Sequence, residues 1–214
     1  MEKKKLILFD LDGTLCDSLE DLTDAVNHMR TEFGLGSLTM EQVRQLVGEG
    51  AANLVRGALP GKSPAELRRG LENFIAYNSA HIADKTMPYP GVRETLAILH
   101  DQGRQMAVVS NKAEALCRKL LAELALDRYF IDIVGGDTLP LRKPYPDPLL
   151  KVMADAGIPA GEAVMVGDSI HDLQAGKAAA VTTIACLYGY GNENEIKSAD
   201  MTIDSFSRLL ALPL

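Results

Sequence analysis

Acidic side chains stand where an apolar run stops. The stretch Phe9-Asp10-Leu11-Asp12-Gly13-Thr14-Leu15 closes a short apolar segment with two carboxylates two residues apart. In an extended chain the side chains at i and i+2 share one side, so Asp10 and Asp12 can face one site. Two such charges about 4 Å apart repel by roughly 4 kcal/mol at an effective dielectric near 20. A divalent cation would turn that repulsion into binding. Gly13 allows a sharp turn and Thr14 adds a hydroxyl. A strand followed by an acidic turn would look the same locally, since turns also favour Asp and Gly, so the rest of the chain has to decide.

Three later segments bear on it. Val108-Val109-Ser110-Asn111-Lys112 ends an apolar run in hydroxyl and amide donors and opens a helix expected over 112–124. Free N–H groups at a helix start suit phosphate, although Ser or Asn there can equally be a plain N-cap. Arg142-Lys143-Pro144-Tyr145-Pro146 puts a cation in a proline-stiffened loop. Met165-Val166-Gly167-Asp168-Ser169-Ile170-His171-Asp172 places two acids at i and i+4 where a strand gives way to a helix. Sharing a face, one could hold a metal while the other orients a ligand or the lysine.

These residues need elements to hold them. Five apolar runs, Lys5–Phe9, Gln105–Val109, Ile131–Val134, Ala163–Val166 and Thr182–Cys186, read as strands buried on both faces. Helical spacing between the later runs (Val92, Leu96, Leu99; Leu116, Leu120, Leu121, Leu124) predicts an open α/β sheet. Ligands in such sheets lie beyond the carboxyl ends of the strands, where Asp10, Ser110 and Asp168 fall. Residues 17–83 break the alternation. Leu22, Val26, Met29 and Phe33 follow a helical period, and Thr39-Met-Glu-Gln42 and Ser63-Pro-Ala-Glu66 are capping boxes. Leu67, Leu71, Phe74, Ile75 and Asn78 continue a single stripe. The expected organisation is a core of 1–16 and 84–214 with a helical insert of 17–83, hinged near Cys16–Ser18 and Ala83–Pro90.

Composition narrows the partners. The 214 residues are 47% hydrophobic and 24% charged, ordinary globular usage, with a net charge of −7. Phosphate backbones and anionic membranes call for a basic face, so neither nucleic acid nor membrane is expected. Cys16, Cys117 and Cys186 show no metal-ligand spacing and read as thiols of a reducing compartment. The basic start is followed by an apolar run of Leu6 to Phe9, short of the roughly 7–15 residues of a signal sequence. A cytoplasmic protein is expected, monomer or dimer being left open.

Taken in order, each at a strand end, the four segments resemble the sequence motifs of the haloacid dehalogenase superfamily of phosphohydrolases. The resemblance implies a Rossmann-like α/β core with an inserted helical cap. It implies Asp10 as the nucleophile that forms an aspartyl-phosphate, and Asp12 as the general acid–base, with its main-chain carbonyl on the metal. It further implies Ser110 and Asn111 as phosphate-binding, Lys143 as holder of the phosphoryl oxygens and the nucleophile, and Asp168 as the Mg²⁺ carboxylate. Asp172 and Thr14 support them.

The strings DLDGTLCDSLEDL from Asp10, LVGEGAAN from Leu46, GGDTLPLRKPYPDPLL from Gly135 and LYGYGNE from Leu187 are similar to bacterial phosphoglycolate phosphatases. Pyrophosphatases and sugar phosphatases of the subgroup share parts of them. The subgroup's sugar phosphomutases carry a His twelve residues after the nucleophile, where Leu22 stands, and a phosphonatase needs a cap lysine, which Lys62 alone could supply. For a substrate carboxylate, Arg56 is the expected cap cation, with Arg44 also flanking the Gly48–Gly50 turn. A receiver-like module phosphorylated on Asp10 is the reading from another class; it would need no inserted cap.

Overall fold

The computed structural model describes residues 4–213. The first three residues, which begin the basic start, lie outside that range. Lys4, which is buried, gives its ammonium to the Gly161 carbonyl, and Lys5 pairs with Glu162.

A parallel six-stranded sheet forms the core. Its strands are β1 (Leu6–Phe9), β4 (Gln105–Val109), β5 (Asp132–Val134), β6 (Ala163–Gly167), β7 (Thr182–Cys186) and β8 (Met201–Ile203). They run in the order β5-β4-β1-β6-β7-β8. Counted along the chain within this sheet, that is third, second, first, fourth, fifth, sixth. The order reverses between β1 and β6, which is where ligands bind in such sheets.

The alternation of side chains explains why both faces of β1 are apolar. Leu6 and Leu8 join Ala107, Val109, Val152, Met153 and Met165 on one side, with α7 (Asp147–Ala156) and α8 (Ile170–Ala178). Ile7 and Phe9 join Val108, Val164, Val166 and Ile184 on the other, under α5 (Val92–Asp101) and α6 (Glu114–Glu123). Burying one such side chain contributes about 1.5–3 kcal/mol. The five expected strands are all present; β8 was not foreseen, and β5 starts one residue late, leaving Ile131 exposed.

Four helices stand between β1 and α5: α1 (Leu19–Glu32), α2 (Met40–Arg44), α3 (Ala51–Ala58) and α4 (Pro64–Ala80). Both capping boxes form as read, Thr39 with Gln42 and Ser63 with Glu66. Leu22, Val26, Met29, Val43, Leu54, Val55 and Phe74 build an apolar cluster separate from those of the sheet.

The two connections to this helical group pair with each other. β2 (Cys16–Asp17) and β3 (Met87–Pro88) make an antiparallel ribbon, a feature no apolar run announces. Buried Asp21, in the first turn of α1, clasps the same joint. Its carboxylate accepts from the backbone of Lys85 and Thr86 and from the Thr86 hydroxyl at 2.6–3.2 Å.

Asp21→Ala leaves those buried donors without an acceptor and is expected to destabilise the protein by about 1–3 kcal/mol in urea unfolding. Asp24→Ala, which removes only an exposed partner of Lys85, should barely shift the midpoint.

Candidate active site

Asp10 leaves the end of β1 and Asp168 the end of β6, so the switch point brings them together. Asp172 joins them from the first turn of α8. One carboxylate oxygen from each lies within 4.8 Å of the others, and all three residues are buried. The i and i+4 acids do not both ride a helical face. Asp168 precedes the helix, and Asp172 forms a capping box with Ser169 while remaining fully buried.

Lys143 is the cation of this cluster. Its ammonium reaches Asp172 at 2.6 Å, the Val109 carbonyl at 2.6 Å and Asp10 Oδ1 at 3.0 Å. Three donors meet three acceptors, on a side chain that is 2% exposed. Burial opposes the charge, but Asp10 and Asp172 outweigh it and hold the lysine above its usual range. Asp10 Oδ1 also accepts the Leu11 amide. Its Oδ2 accepts no hydrogen bond among the described residues.

Asp12 is handled separately. Lys112 Nζ lies 3.1 Å from both of its oxygens and the Ser18 hydroxyl donates to Oδ1 at 2.6 Å. Burial disfavours the Lys112 charge, yet Asp12 more than offsets this and its pKa is raised. The repulsion expected between Asp10 and Asp12 is therefore met by two lysines, one per acid. Neither Lys112 nor Ser18 was assigned from sequence. A lysine directly after the Ser-Asn pair at a strand end was the available signal for the first.

Asp168 is fixed by Thr14, whose hydroxyl donates to Oδ1 at 2.8 Å, and by the amides of Tyr190 and Gly191 on Oδ2. Gly13 adopts φ +84°, and a Cβ there would strike the Asp168 carboxylate, so the turn must be glycine. Tyr190 was not foreseen either. Its hydroxyl donates to Asp17 and accepts the Ser18 amide, while Arg44 donates to the carbonyls of Gly189 and Tyr190. One short loop thus grips Asp168, the hinge and α2 together.

Ser110 and Asn111 follow β4, but α6 begins only at Glu114. Ala113 is its N-cap, and the Glu114 amide is taken by Asp137. Lys112 has to remain in the loop to reach Asp12. Asn111 gives its amide protons to the carbonyls of Gly48 and Lys143. It clamps the helical group to the core. Gly50, at φ +85°, approaches so closely that a Cβ would lie 2.9 Å from the Asn111 carbonyl.

A cavity of about 60 Å³ opens above these groups. Asp10, Asp12, Ser110, Asn111 and Lys112 line it from below, and Leu22, Leu54, Phe74 and Asn78 from the helical group. Arg56 does not line it. That side chain is exposed on α3 and donates to Asn53, so the structure does not bring the expected cap cation to the site. Lys62 pairs with Glu66 and lies against Phe33, also away from the cavity.

The donor set fits a hard divalent cation, which takes carboxylate oxygens. Burial first, and then repulsion from Asp10 and Asp172, pushes Asp168 up to about 7. Burial likewise outweighs the Lys143 charge and raises Asp10 to about 6. With folded values above the unfolded range near 4, the native state binds the extra protons. The metal-free protein therefore loses this contribution to stability as pH rises from about 4 to 7. A cation must displace those protons. The rise in thermal midpoint on adding Mg²⁺ should accordingly be larger at pH 8 than at pH 5; a pH-independent rise, or none, would contradict the cluster's role.

Comparison with known proteins agrees with this geometry. The family model described as "Haloacid dehalogenase-like hydrolase" matches residues 7–186. The phosphoglycolate phosphatase of Pseudomonas syringae pv. tomato is 46% identical over 215 residues, covering 96% of this chain and 78% of that protein. The phosphoglycolate phosphatase of Chromobacterium violaceum is 41% identical, covering 97% and 96%. The crystal structure of a predicted phosphoglycolate phosphatase from Haemophilus somnus superposes with a TM-score of 0.94 at 30% identity, covering 99% of this chain and 98% of the other. The acids at the switch point and the match over most of the chain together place this protein in the haloacid dehalogenase-like hydrolase family.

Proposed function

We propose that the protein is a Mg²⁺-dependent phosphoglycolate phosphatase, hydrolysing 2-phosphoglycolate to glycolate and phosphate through an aspartyl-phosphate on Asp10. The observation that carries this reading is the buried Asp10, with one oxygen held by Lys143 and Leu11 and the other free of donors, at the floor of a small cavity.

In this reading Asp10 Oδ2 attacks phosphorus, and the bond to the ester oxygen breaks. Asp12, steadied by Lys112 and Ser18, hands a proton to that leaving oxygen. It then takes a proton from the water that attacks the phosphorus of the acyl phosphate, releasing phosphate and restoring Asp10. Splitting the hydrolysis into two displacements replaces one slow step by two faster ones. Lys143 lies beside the nucleophile, where it can hold the phosphoryl oxygens, and Ser110 supplies a further donor. Asp10, Asp168 and the main-chain carbonyl of Asp12 would hold Mg²⁺, with Asp172 and Thr14 supporting. The ion would neutralise phosphoryl charge, the main requirement of phosphoryl transfer.

The four helices serve as the cap, swinging on the β2–β3 ribbon. The cavity over Asp10 is lined on its outer side mainly by apolar residues of these helices. The apolar Leu22 on that wall speaks against phosphomutase chemistry. Relatives of known name, at 41–46% identity, favour the glycolate ester over pyrophosphate. Among the described residues no helix is long and apolar enough to cross a membrane, and the three cysteines are free and buried. Both fit a cytoplasmic enzyme of small-molecule metabolism.

A screen of 2-phosphoglycolate, pyrophosphate and sugar phosphates, with and without Mg²⁺, tests the substrate and separates an enzyme from a phospho-acceptor module. Asp10→Asn should lower kcat by on the order of 10³ or more with an unchanged circular dichroism spectrum. Turnover near wild type would remove the nucleophile. Because Arg56 stands outside the cavity, Arg56→Ala should alter KM for 2-phosphoglycolate by no more than about twofold.

A further inference from the structure

Asn78 stands out among the cavity's walls. It lies in the last turn of α4 and is 2% exposed. Leu22, Val47, Leu54 and Phe74, with Gly48, Gly50 and Ala51, make up the rest of the wall that the helical group contributes. Asn78 is thus the one polar side chain this wall carries among the described residues. Its Oδ1 is buried with no hydrogen-bond partner, and its amide nitrogen makes no hydrogen bond among the described residues.

A buried amide without partners costs stability unless something arrives to bond it. The sequence places Asn78 on the stripe of Leu67, Leu71, Phe74 and Ile75, where an apolar side chain would pack without that cost. The core side of the same cavity is differently equipped. Lys112 is engaged by Asp12, and the Asn111 amide protons go to Gly48 and Lys143, which leaves Asn111 only its unpartnered Oδ1, an acceptor that cannot bind a carboxylate. The end of a ligand that points away from Asp10 therefore meets an apolar wall and one unengaged carboxamide. Turning over about its last bond, that carboxamide can present N–H to an acceptor.

We infer that Asn78 is a specificity-determining residue, its side-chain N–H donating to the carboxylate of the leaving group of a small phosphomonoester. The carboxylate's identity rests on the phosphoglycolate reading above; the polar contact itself rests on the unpartnered amide. A site built to hydrogen-bond a substrate group rejects the analogue that lacks it, because its own polar atom is then left unpaired.

The test compares kcat/KM for 2-phosphoglycolate with that for ethyl phosphate, which has the same length and no carboxylate. Asn78→Ala and Asn78→Asp are measured beside wild type, with thermal midpoints and inhibition by inorganic phosphate. For Asn78→Ala the ratio of the two specificity constants should fall about 10- to 100-fold, chiefly through KM for 2-phosphoglycolate. Asn78→Asp should fall further, since it keeps the shape and the acceptor but sets a negative charge against the carboxylate. Equal losses on both esters, or an Asn78→Asp ratio at or above that of Asn78→Ala, would overturn the assignment and leave Asn78 a packing residue. A wild-type enzyme with no preference for 2-phosphoglycolate would refute the substrate reading instead. Asn78 would then be judged by the same ratio on whichever polar small ester the enzyme prefers.

Discussion

Everything at the site is arranged around one buried ammonium. Lys143 sits among Asp10, Asp168 and Asp172, three acids of a single pocket, and binds two of them directly. One positive charge against three potential negative ones leaves the pocket acidic. Burying ions costs several kcal/mol each when their pairing is incomplete. The protein's response is visible in the elevated values of Asp10 and Asp168, which hold protons that exposed carboxylates would have released. The pocket is thus short of positive charge, which a bound cation would supply in competition with those protons. Lys112 prevents the shortage from spreading, because it gives Asp12 a cation of its own.

Topology explains how residues so distant in sequence converge. A sheet that starts in its middle and grows first one way and then the other leaves β1 and β6 as neighbours whose ends are not bridged by a tight crossover. The acids occupy that gap. Because β2 and α1 follow within a few residues of Asp12, the joint to the helical group is continuous with the turn that carries Asp12. Ser18 shows the coupling most directly. It stands at the N-cap of α1 yet does not cap it, and gives its hydroxyl to Asp12 instead. Arg44 and the loop through Tyr190 extend the same connection to Asp168. Displacing the helices therefore disturbs the hydrogen bonds of two acids at once.

How much of this could be read in the sequence depends on range. Strands buried on both faces announce themselves as apolar runs, and the motif acids at their ends were visible for that reason. β8 escaped because three residues with a central Thr make no run, and the β2–β3 ribbon escaped because its partners lie about seventy positions apart. Lys112 and Tyr190 have meaning only through contacts with Asp12 and Asp168 that no local pattern encodes. Arg56 shows the opposite failure. Helical spacing fixes where a side chain stands around its own axis, but not which side of that axis the cavity takes, and Arg56 turned outward. The helix expected from 112 began at 114 because a lysine needed by an acid elsewhere held the backbone open.

The same division, an electrostatic core and an apolar cap, separates reaction from selection. The floor of the cavity carries Asp10, Asp12, Ser110, Asn111 and Lys112, which on the proposed reading would serve any phosphomonoester. None of these distinguishes one ester from another, which is why the sequence motifs alone left pyrophosphate and sugar phosphates open. The cap wall adds little charge and much shape. Excluding water there would strengthen every interaction at the floor whichever ester is bound. Discrimination must then come from the few features of that wall that are not simply apolar. A single carboxamide on an otherwise apolar wall rejects an ester with nothing to offer it, by leaving both the amide and the wall's water unreplaced. On this reading selection is decided tens of residues away in sequence from Asp10 and Asp12, on helices that carry none of the clustered acids.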